Sequence, residues 1–311
     1  MNRRNLLGLA LVGSLTAGLA ACGGGDDPLA AGDTGSGDST ATSAVIIGSA
    51  NFPESELLME MYAQTLEAKG VEVQRKPNIG ARELYLKALD DGSIDLIPEY
   101  NGALLAALSE GGAPEGVSTP EQVLEALQGV LPEGTEVLEQ SPAEDKDSLS
   151  VTEATATQYR LTSIADLAPV AKDLVAGGGP EFQERYQGLI GLKELYGVEF
   201  KEFKPLDPGG PLTVGALKDG TIQVANIFTT DSAITTNGFV VLEDPENLFL
   251  AQNVLPLIRS SKNDQTITDA LNAFSAKLTT ENLTQYLAQV QVDKKDVAAV
   301  AKDFLTANGL V

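Results

Sequence analysis

Residues 91–102 read DGSIDLIPEYNG and combine a helix stop, a buried strand and a strand-ending turn. The segment 91–93 (DGS) is a turn signal that closes the preceding helix. The apolar run 94–97 predicts a buried parallel strand, which Pro98 ends just before the next helix. Because ligands of open α/β sheets bind outside the carboxyl ends of the strands, we expect Tyr100 to lie beside a ligand.

The neighbouring elements predict a layered α/β architecture. Strands at 44–48 and 71–76 alternate with helices that begin at Pro53 and Arg82, and this βαβαβ order predicts a parallel sheet with helices on its faces. The pattern recurs after a strand at 148–151. The second set includes predicted strands at 170–175, 198–202, 221–228 and 239–242, a sharp break at 177–180 (GGGP), a helix at 181–196 and an N-cap cluster at 229–231. Residues 253–258 then return to the first sheet, and three helices close the chain.

Composition excludes several function classes. The 311 residues carry a net charge of −23, which argues against nucleic-acid binding because phosphate contacts need clustered Lys and Arg. There is no His, so Ser-His-Asp triads, Cys-His pairs and His-based metal sites are ruled out. The acidic residues lack the spacing of a calcium loop. We therefore predict neither a cofactor nor a metal.

The N-terminus predicts export and lipidation. A basic start is followed by an apolar stretch too short for a confident membrane span, and residues 19–22 (LAAC) resemble a lipobox. We expect a signal peptide over 1–21, a lipid on Cys22 and a flexible tether over 22–43, which place the protein outside the cytoplasm on the cell membrane. The alternative is a plain secretory signal with an incidental cysteine.

Two motifs carry a resemblance to a known family. GSANFPES at 48–55 and G-x-I-D-L-x-P-E-Y-x-G at 92–102 resemble the substrate-binding proteins of osmoprotectant ABC transporters, the glycine betaine, choline and carnitine binders of the OpuC/ProX type. The similarity runs from about residue 45 to the C-terminus. It implies a two-lobed type II periplasmic-binding-protein fold with a ligand cleft between the lobes. Residues 44–146 and 253–311 would form the first lobe, and 147–252 the second.

The resemblance also implies a function without covalent chemistry. The protein would capture a small zwitterionic or cationic solute by lobe closure and deliver it to an ABC permease with its ATPase. Two alternatives stay open. The same fold could bind another solute, such as an amino-acid derivative or an ergothioneine-like betaine. An anchored hydrolase is disfavoured because the chain lacks His and a nucleophile-elbow motif.

Aromatic residues are the first candidates for the solute site. The family places a cage tyrosine in the PEY motif, so Tyr100 would attract a quaternary ammonium through its ring face; the alternative is a tyrosine that packs under a loop. Other family tyrosines are replaced here, by the DSL segment at 147–149 and by Val214. The family's YSTDG motif begins with Phe228 in this chain. We therefore expect Tyr100 and Phe228, and not a four-tyrosine box.

Charged residues are the second group of candidates. Asp147 stands where an aromatic residue is expected, and its carboxylate would attract a cation and accept its N–H groups. This predicts a solute with at least one hydrogen-bond donor, or a larger zwitterion. The resemblance implies that Arg185 grips a solute carboxylate; the alternative is a surface charge paired with Glu181 or Glu184. Asp145 would orient its neighbours.

Four further residues are predicted from their positions in loops and at strand ends. Asn51 and Phe52 open a helix and would offer backbone N–H groups to a carboxylate. Asn226 and Thr229 would place polar groups at a strand end, where a pocket needs them. Each of the four could equally be a capping or turn residue.

Overall fold

A computed structural model describes residues 44–109, 112, 114 and 116–311. The predicted signal peptide, Cys22 and the tether lie outside the described residues. The described chain forms two mixed five-stranded sheets, each covered by helices. We call the first sheet with its helices the first lobe and the second sheet with its helices the second lobe.

The first sheet is parallel on one side and antiparallel on the other. Its strands are β1 (Val45–Gly48), β2 (Val73–Lys76), β3 (Leu96–Tyr100), β4 (Thr135–Val137) and β10 (Val254–Arg259). Their order is β2-β1-β3-β10-β4, with β1 parallel to β2 and β3, and β10 antiparallel to β3 and β4. The prediction of a parallel sheet is wrong for β10, which runs antiparallel to both of its neighbours. The chain returns from the second lobe at the end where β3 leaves, so β10 must run in the opposite direction.

The helices of the first lobe come from both ends of the described chain. They are α1 (Pro53–Glu67), α2 (Arg82–Asp90), α3 (Asn101–Leu108), α4 (Pro120–Gln128), α9 (Gln265–Ser275), α10 (Thr280–Gln291) and α11 (Val297–Ala307). Helix α1 contacts all three closing helices. In this core the buried ring of Tyr62 meets Phe274 edge-on, with centroids 5.2 Å apart. The closing helices therefore complete the first lobe, as the sequence predicts.

Strand β3 lies two to three residues later than predicted and continues through Pro98. Pro98 faces Pro256 in the antiparallel ladder. The carbonyl of Pro256 accepts the backbone N–H of Leu138 on the other side of β10, so the facing pair exchanges no hydrogen bond. Because neither proline needs an N–H at this position, the strand tolerates both. The shift carries Glu99 and Tyr100 into the sheet, where both are buried.

The second sheet is also mixed. Its strands are β5 (Asp147–Thr152), β6 (Val175–Gly178), β7 (Glu202–Pro205), β8 (Val224–Phe228) and β9 (Phe239–Val241), in the order β7-β6-β8-β5-β9. Its helices are α5 (Glu153–Tyr159), α6 (Gly191–Tyr196), α7 (Pro211–Lys218) and α8 (Ser232–Asn237). Asp231 caps α8 by accepting the N–H of Ala233 at 2.7 Å, which confirms the predicted N-cap cluster.

Three predictions for the second lobe are wrong. The predicted strand at 170–175 is a 3₁₀ turn (Ala171–Asp173) followed by β6, and β7 begins at Glu202 rather than at residue 198. The glycines at 177 and 178 lie inside β6 and not in a turn. A Cβ on Gly178 would come within 2.9 Å of Asn226 Cβ, so glycine here permits the close approach of neighbouring strands.

The predicted helix 181–196 is broken into three pieces. A 3₁₀ turn (Pro180–Gln183) and a π-turn (Tyr186–Ile190) precede α6. The break follows from Gly188, whose backbone is extended (φ −161°, ψ −142°) and passes so close to Phe182 that a Cβ would lie 2.0 Å from its carbonyl oxygen. Arg185 consequently has an extended backbone between the two turns.

The chain passes between the two sheets twice, at adjacent positions. The Asp145 backbone N–H donates to the Gln252 carbonyl at 3.1 Å, and Glu144 and Asn253 form an isolated antiparallel bridge. Two paired extended segments of this kind suit a hinge, because small changes in their φ and ψ angles reorient whole lobes. Within the described ranges, no helix is long and apolar enough to span a bilayer.

Candidate solute-binding site

A narrow cavity of about 40 Å³ lies between the lobes. Residues from both sheets line it, so it is the predicted cleft. Asn226 and Thr229 contact the lining rather than forming it: Asn226 Nδ2 donates to Asp147 Oδ1 at 2.9 Å, and Thr229 Oγ1 donates to Asp145 Oδ1 at 3.3 Å. The structure thus brings all nine predicted residues together. The seven that line the cavity are Asn51, Phe52, Tyr100, Asp145, Asp147, Arg185 and Phe228.

Three aromatic rings from both lobes meet in this cavity. The Phe52 ring lies between Tyr100 and Phe228, at centroid distances of 6.2 Å and 5.1 Å. We call Phe52, Tyr100 and Phe228 the aromatic triad. The sequence analysis assigned only the Phe52 backbone to the site and missed its ring. The sequence feature that could have indicated the ring is the position of Phe52 in the same loop as Asn51, directly before Pro53, which opens the helix. Tyr85 adds a fourth aromatic residue to the lining.

The pairing register of β5 and β8 places Asp147 beside the aromatic triad. Asp147 is the first residue of β5 and faces Phe228, the last residue of β8, in the antiparallel ladder. The cavity therefore has a carboxylate beside aromatic rings on the second-lobe side. Such a combination attracts a cation both by charge and by the ring quadrupoles.

The Glu99 carboxylate holds residues on the first-lobe side of the cavity in place. The sequence analysis did not predict this role. The Glu99 side chain is fully buried and accepts from Arg82 Nε at 2.7 Å, Arg82 Nη2 at 3.1 Å, the Tyr85 hydroxyl at 2.5 Å and the Tyr100 backbone N–H at 2.7 Å. Burial alone lowers the pKa of Arg82, but Glu99 beside it raises that pKa above its ordinary range. One carboxylate thus fixes three residues that line the cavity.

A second buried carboxyl group joins the two lobes. Glu54, in the first turn of α1, accepts the Tyr100 hydroxyl at 2.7 Å and the Thr230 hydroxyl of the second lobe at 2.5 Å. Asp145 accepts the Thr230 backbone N–H at 3.0 Å. Burial raises the pKa of both carboxyl groups, and the charge of Glu54 raises the pKa of Asp145 further. Both groups therefore bind a proton more readily than exposed carboxyl groups do.

Arg185 bridges the lobes as well. Its Nε and Nη2 atoms donate to the carboxylate of Glu83 on α2, at 2.9 Å and 3.1 Å. The alternative of a surface charge paired with Glu181 or Glu184 is wrong, because the Arg185 side chain pairs with Glu83 instead. Burial raises the pKa of Glu83, but Arg185 outweighs this effect and lowers it overall.

The fold and the cavity agree with a family of transport proteins. Residues 43–307 match the family described as the substrate-binding domain of the ABC-type glycine betaine transport system, OpuAC. The chain belongs to this family. The resemblance identified from the sequence is therefore confirmed. OpuAC-family members are solute-binding proteins and not enzymes, so the hydrolase alternative falls away.

Individual OpuAC-family relatives are distant in sequence but cover most of the chain. The glycine betaine-binding protein YehZ of Escherichia coli K12 is 26% identical over 283 residues, which is 86% of this chain and 92% of the relative. The carnitine transport binding protein OpuCC of Listeria monocytogenes is 25% identical over 270 residues, 84% of this chain and 86% of the relative.

Solved structures support the same fold. A crystal structure of a glycine betaine/carnitine/choline ABC transporter protein superimposes with a TM-score of 0.66 at 24% identity, covering 86% of this chain and 99% of that chain. The two-lobed binding-protein fold is thereby confirmed. Like other binding proteins of ABC importers, this OpuAC-family protein acts outside the cytoplasm and delivers a small solute to permease subunits.

Proposed function

We propose that this protein is the lipid-anchored receptor of an osmoprotectant importer and binds a betaine-like or choline-like solute between its lobes. The observation that carries the proposal is the aromatic triad, which presents ring surface from both lobes beside the Asp147 carboxylate. Each ring face contributes roughly 0.5–2 kcal/mol to binding of a desolvated ammonium group. Family membership and the relatives that bind glycine betaine and carnitine support the same solute class.

The proposal includes the anchor and the lobe boundaries. The lipobox at 19–22 supports lipidation of Cys22 after removal of residues 1–21, and the polar segment 22–43 would serve as the tether. The adjacent crossings at Asp145 and Gln252 support a first lobe of 44–146 and 253–311 and a second lobe of 147–252.

A panel of solutes tests the proposed ligand class. We expect glycine betaine, choline or carnitine to raise the thermal midpoint of the purified protein by several degrees, since a ligand at about 100 times its dissociation constant adds roughly 2.7 kcal/mol of stability. Ergothioneine and amino acids complete the panel. A shift with one of these and with no methylated ammonium would keep the receptor role and remove the osmoprotectant assignment.

Substitution of Asp147 tests whether the solute donates an N–H group to this carboxylate. The Asp147 carboxylate accepts only Asn226 Nδ2 among the described residues, so it has capacity for a solute donor. We expect Asp147→Asn to weaken binding of N,N-dimethylglycine by about tenfold, because a charge-assisted hydrogen bond is lost, and to weaken glycine betaine less. Calorimetric titration of the two solutes measures the difference. Unchanged affinity for both would contradict a binding role for Asp147.

A further inference from the structure

The Gln291 side chain joins the two lobes at a place outside the solute cavity. Gln291 is the last residue of α10 in the first lobe, and it meets the start of α8 in the second lobe. Its Oε1 atom accepts the Ser232 hydroxyl at 2.9 Å and the Ser232 backbone N–H at 3.3 Å, and its Nε2 atom donates to Asp231 Oδ2 at 3.1 Å. These residues line a separate groove and not the solute cavity. A solute held in the cavity therefore does not touch this contact, which we call the latch.

The latch is complementary at both ends of the Gln291 amide. A side-chain amide offers an acceptor oxygen and donor N–H groups, and here each faces a group of the opposite kind. The Ser232 N–H belongs to the first residue of α8, so it has no acceptor within its own helix. Among the described residues, only Gln291 accepts it. The other oxygen of Asp231 accepts the Ala233 N–H at 2.7 Å. A residue of the first lobe thus completes the N-terminal cap of a helix in the second lobe.

The latch forms in the same movement that assembles the aromatic triad. Thr230, directly before the latch residues of α8, donates its hydroxyl to Glu54 of the first lobe, and Glu54 also accepts the hydroxyl of Tyr100. Residues 230–232 therefore form a continuous segment of the second lobe that is hydrogen-bonded to the first lobe. Parting the lobes breaks the latch and the Glu54 contact together.

We propose that Gln291 is an affinity-determining residue that acts from outside the solute site, by stabilising the closed arrangement of the lobes. The free energy of the latch enters the closing equilibrium and not the fit between solute and cavity. Because apparent affinity scales with the population of the binding-competent state, the latch raises the affinity for every solute by the same factor. This role goes beyond the proposed function, since it does not depend on the class of solute.

Alanine at position 291 tests the latch. We expect Gln291→Ala to lower the affinity for glycine betaine and for choline by the same factor, about fivefold, because the lost hydrogen bonds each contribute modestly. Stopped-flow kinetics should show the loss mainly as faster dissociation. Gln285→Ala is the matched control, since Gln285 is an exposed glutamine of the same helix. Unchanged affinity in Gln291→Ala, or a loss for only one of the two probes, overturns the latch.

Exchanging the two latch groups provides a rescue that a general loss of stability would not show. Gln291→Glu places a carboxylate against Asp231, so we expect a larger loss of affinity than in Gln291→Ala. Asp231→Asn places two amide nitrogens together and should also weaken binding. The double variant restores the hydrogen bond with its direction reversed, and asparagine caps a helix as well as aspartate does. Affinity in the double variant should therefore exceed that of Gln291→Glu, and additive losses would overturn the direct contact.

The same titrations separate the latch from the proposed function. If glycine betaine or choline binds and the Gln291 variants bind it as the wild-type protein does, the osmoprotectant assignment stands and the latch is overturned. If only another solute of the panel binds, the osmoprotectant assignment is overturned and the latch is tested with that solute, for which the same loss and the same rescue are expected. Equal losses for all solutes that bind, together with rescue in the double variant, support the latch.

Discussion

Replacing Glu99 with alanine is expected to lower the free energy of unfolding by about 3–5 kcal/mol, because it leaves the Arg82 guanidinium buried without its partner. The same change removes the acceptor of the Tyr85 hydroxyl and of the Tyr100 backbone N–H. Chemical denaturation monitored by circular dichroism measures the loss. We expect solute binding to be lost as well, since the carboxylate fixes three residues of the cavity lining.

Two variants define how this result is interpreted. Glu67→Ala also removes a partner of an arginine, Arg75, but at a side chain that is 41% exposed, and we expect a loss below about 1 kcal/mol. The double variant Arg82→Met with Glu99→Leu removes both charges and should recover much of the stability while solute binding stays lost. A Glu99→Ala protein as stable as Glu67→Ala would contradict the anchoring role of Glu99.

The fold could be predicted because its signals are local. Helix α2 begins and ends where the sequence predicts, at Arg82 and Asp90, because a polar loop precedes it and the DGS turn follows. The sequence analysis misplaced β3 because the strand tolerates Pro98 through its pairing register with β10, which lies more than 150 residues later. A distant partner of this kind leaves no mark in the local pattern.

The sequence predicted which residues lie around the cavity better than it predicted their contacts. Seven of the nine predicted residues line the cavity and two contact its lining, but the sequence analysis missed the Glu99 contacts, the Phe52 ring and the Arg185–Glu83 pair. Each of these depends on side chains from separate elements, and two of them cross between the lobes. A buried acidic residue within an apolar strand, as in IPEY, is the one signal that could have indicated an ionic anchor.

The raised pKa values of Glu54 and Asp145 are expected to make solute binding depend on pH. Opening the cleft returns water to both carboxyl groups and removes the Thr230 hydrogen bond, which lowers the pKa of Glu54. Because burial is the larger effect on both groups, their pKa values should be higher in the closed protein than in the open one. A group with a raised pKa in the closed state binds more protons there, so closure is favoured at low pH. This contribution is complete below the ordinary carboxyl pKa of about 4 and is lost as the pH rises through the raised values.

We therefore expect affinity for the solute to fall as the pH rises above the ordinary carboxyl pKa of about 4, by at most about tenfold per pH unit for one proton. Calorimetric titration across this range measures the slope. Asp145→Asn should flatten it, because the amide is neutral at every pH, whereas Asp173→Asn, at an exposed position of the second lobe, should leave it unchanged. Burial also raises the pKa of Asp231, whose charge acts on Glu54, so Asp231→Asn separates its titration from that of the pair. A slope that persists in Asp145→Asn and disappears in Asp231→Asn would assign the proton to Asp231 instead, and closure would then be linked to the α8 cap rather than to the carboxyl pair beneath the aromatic triad.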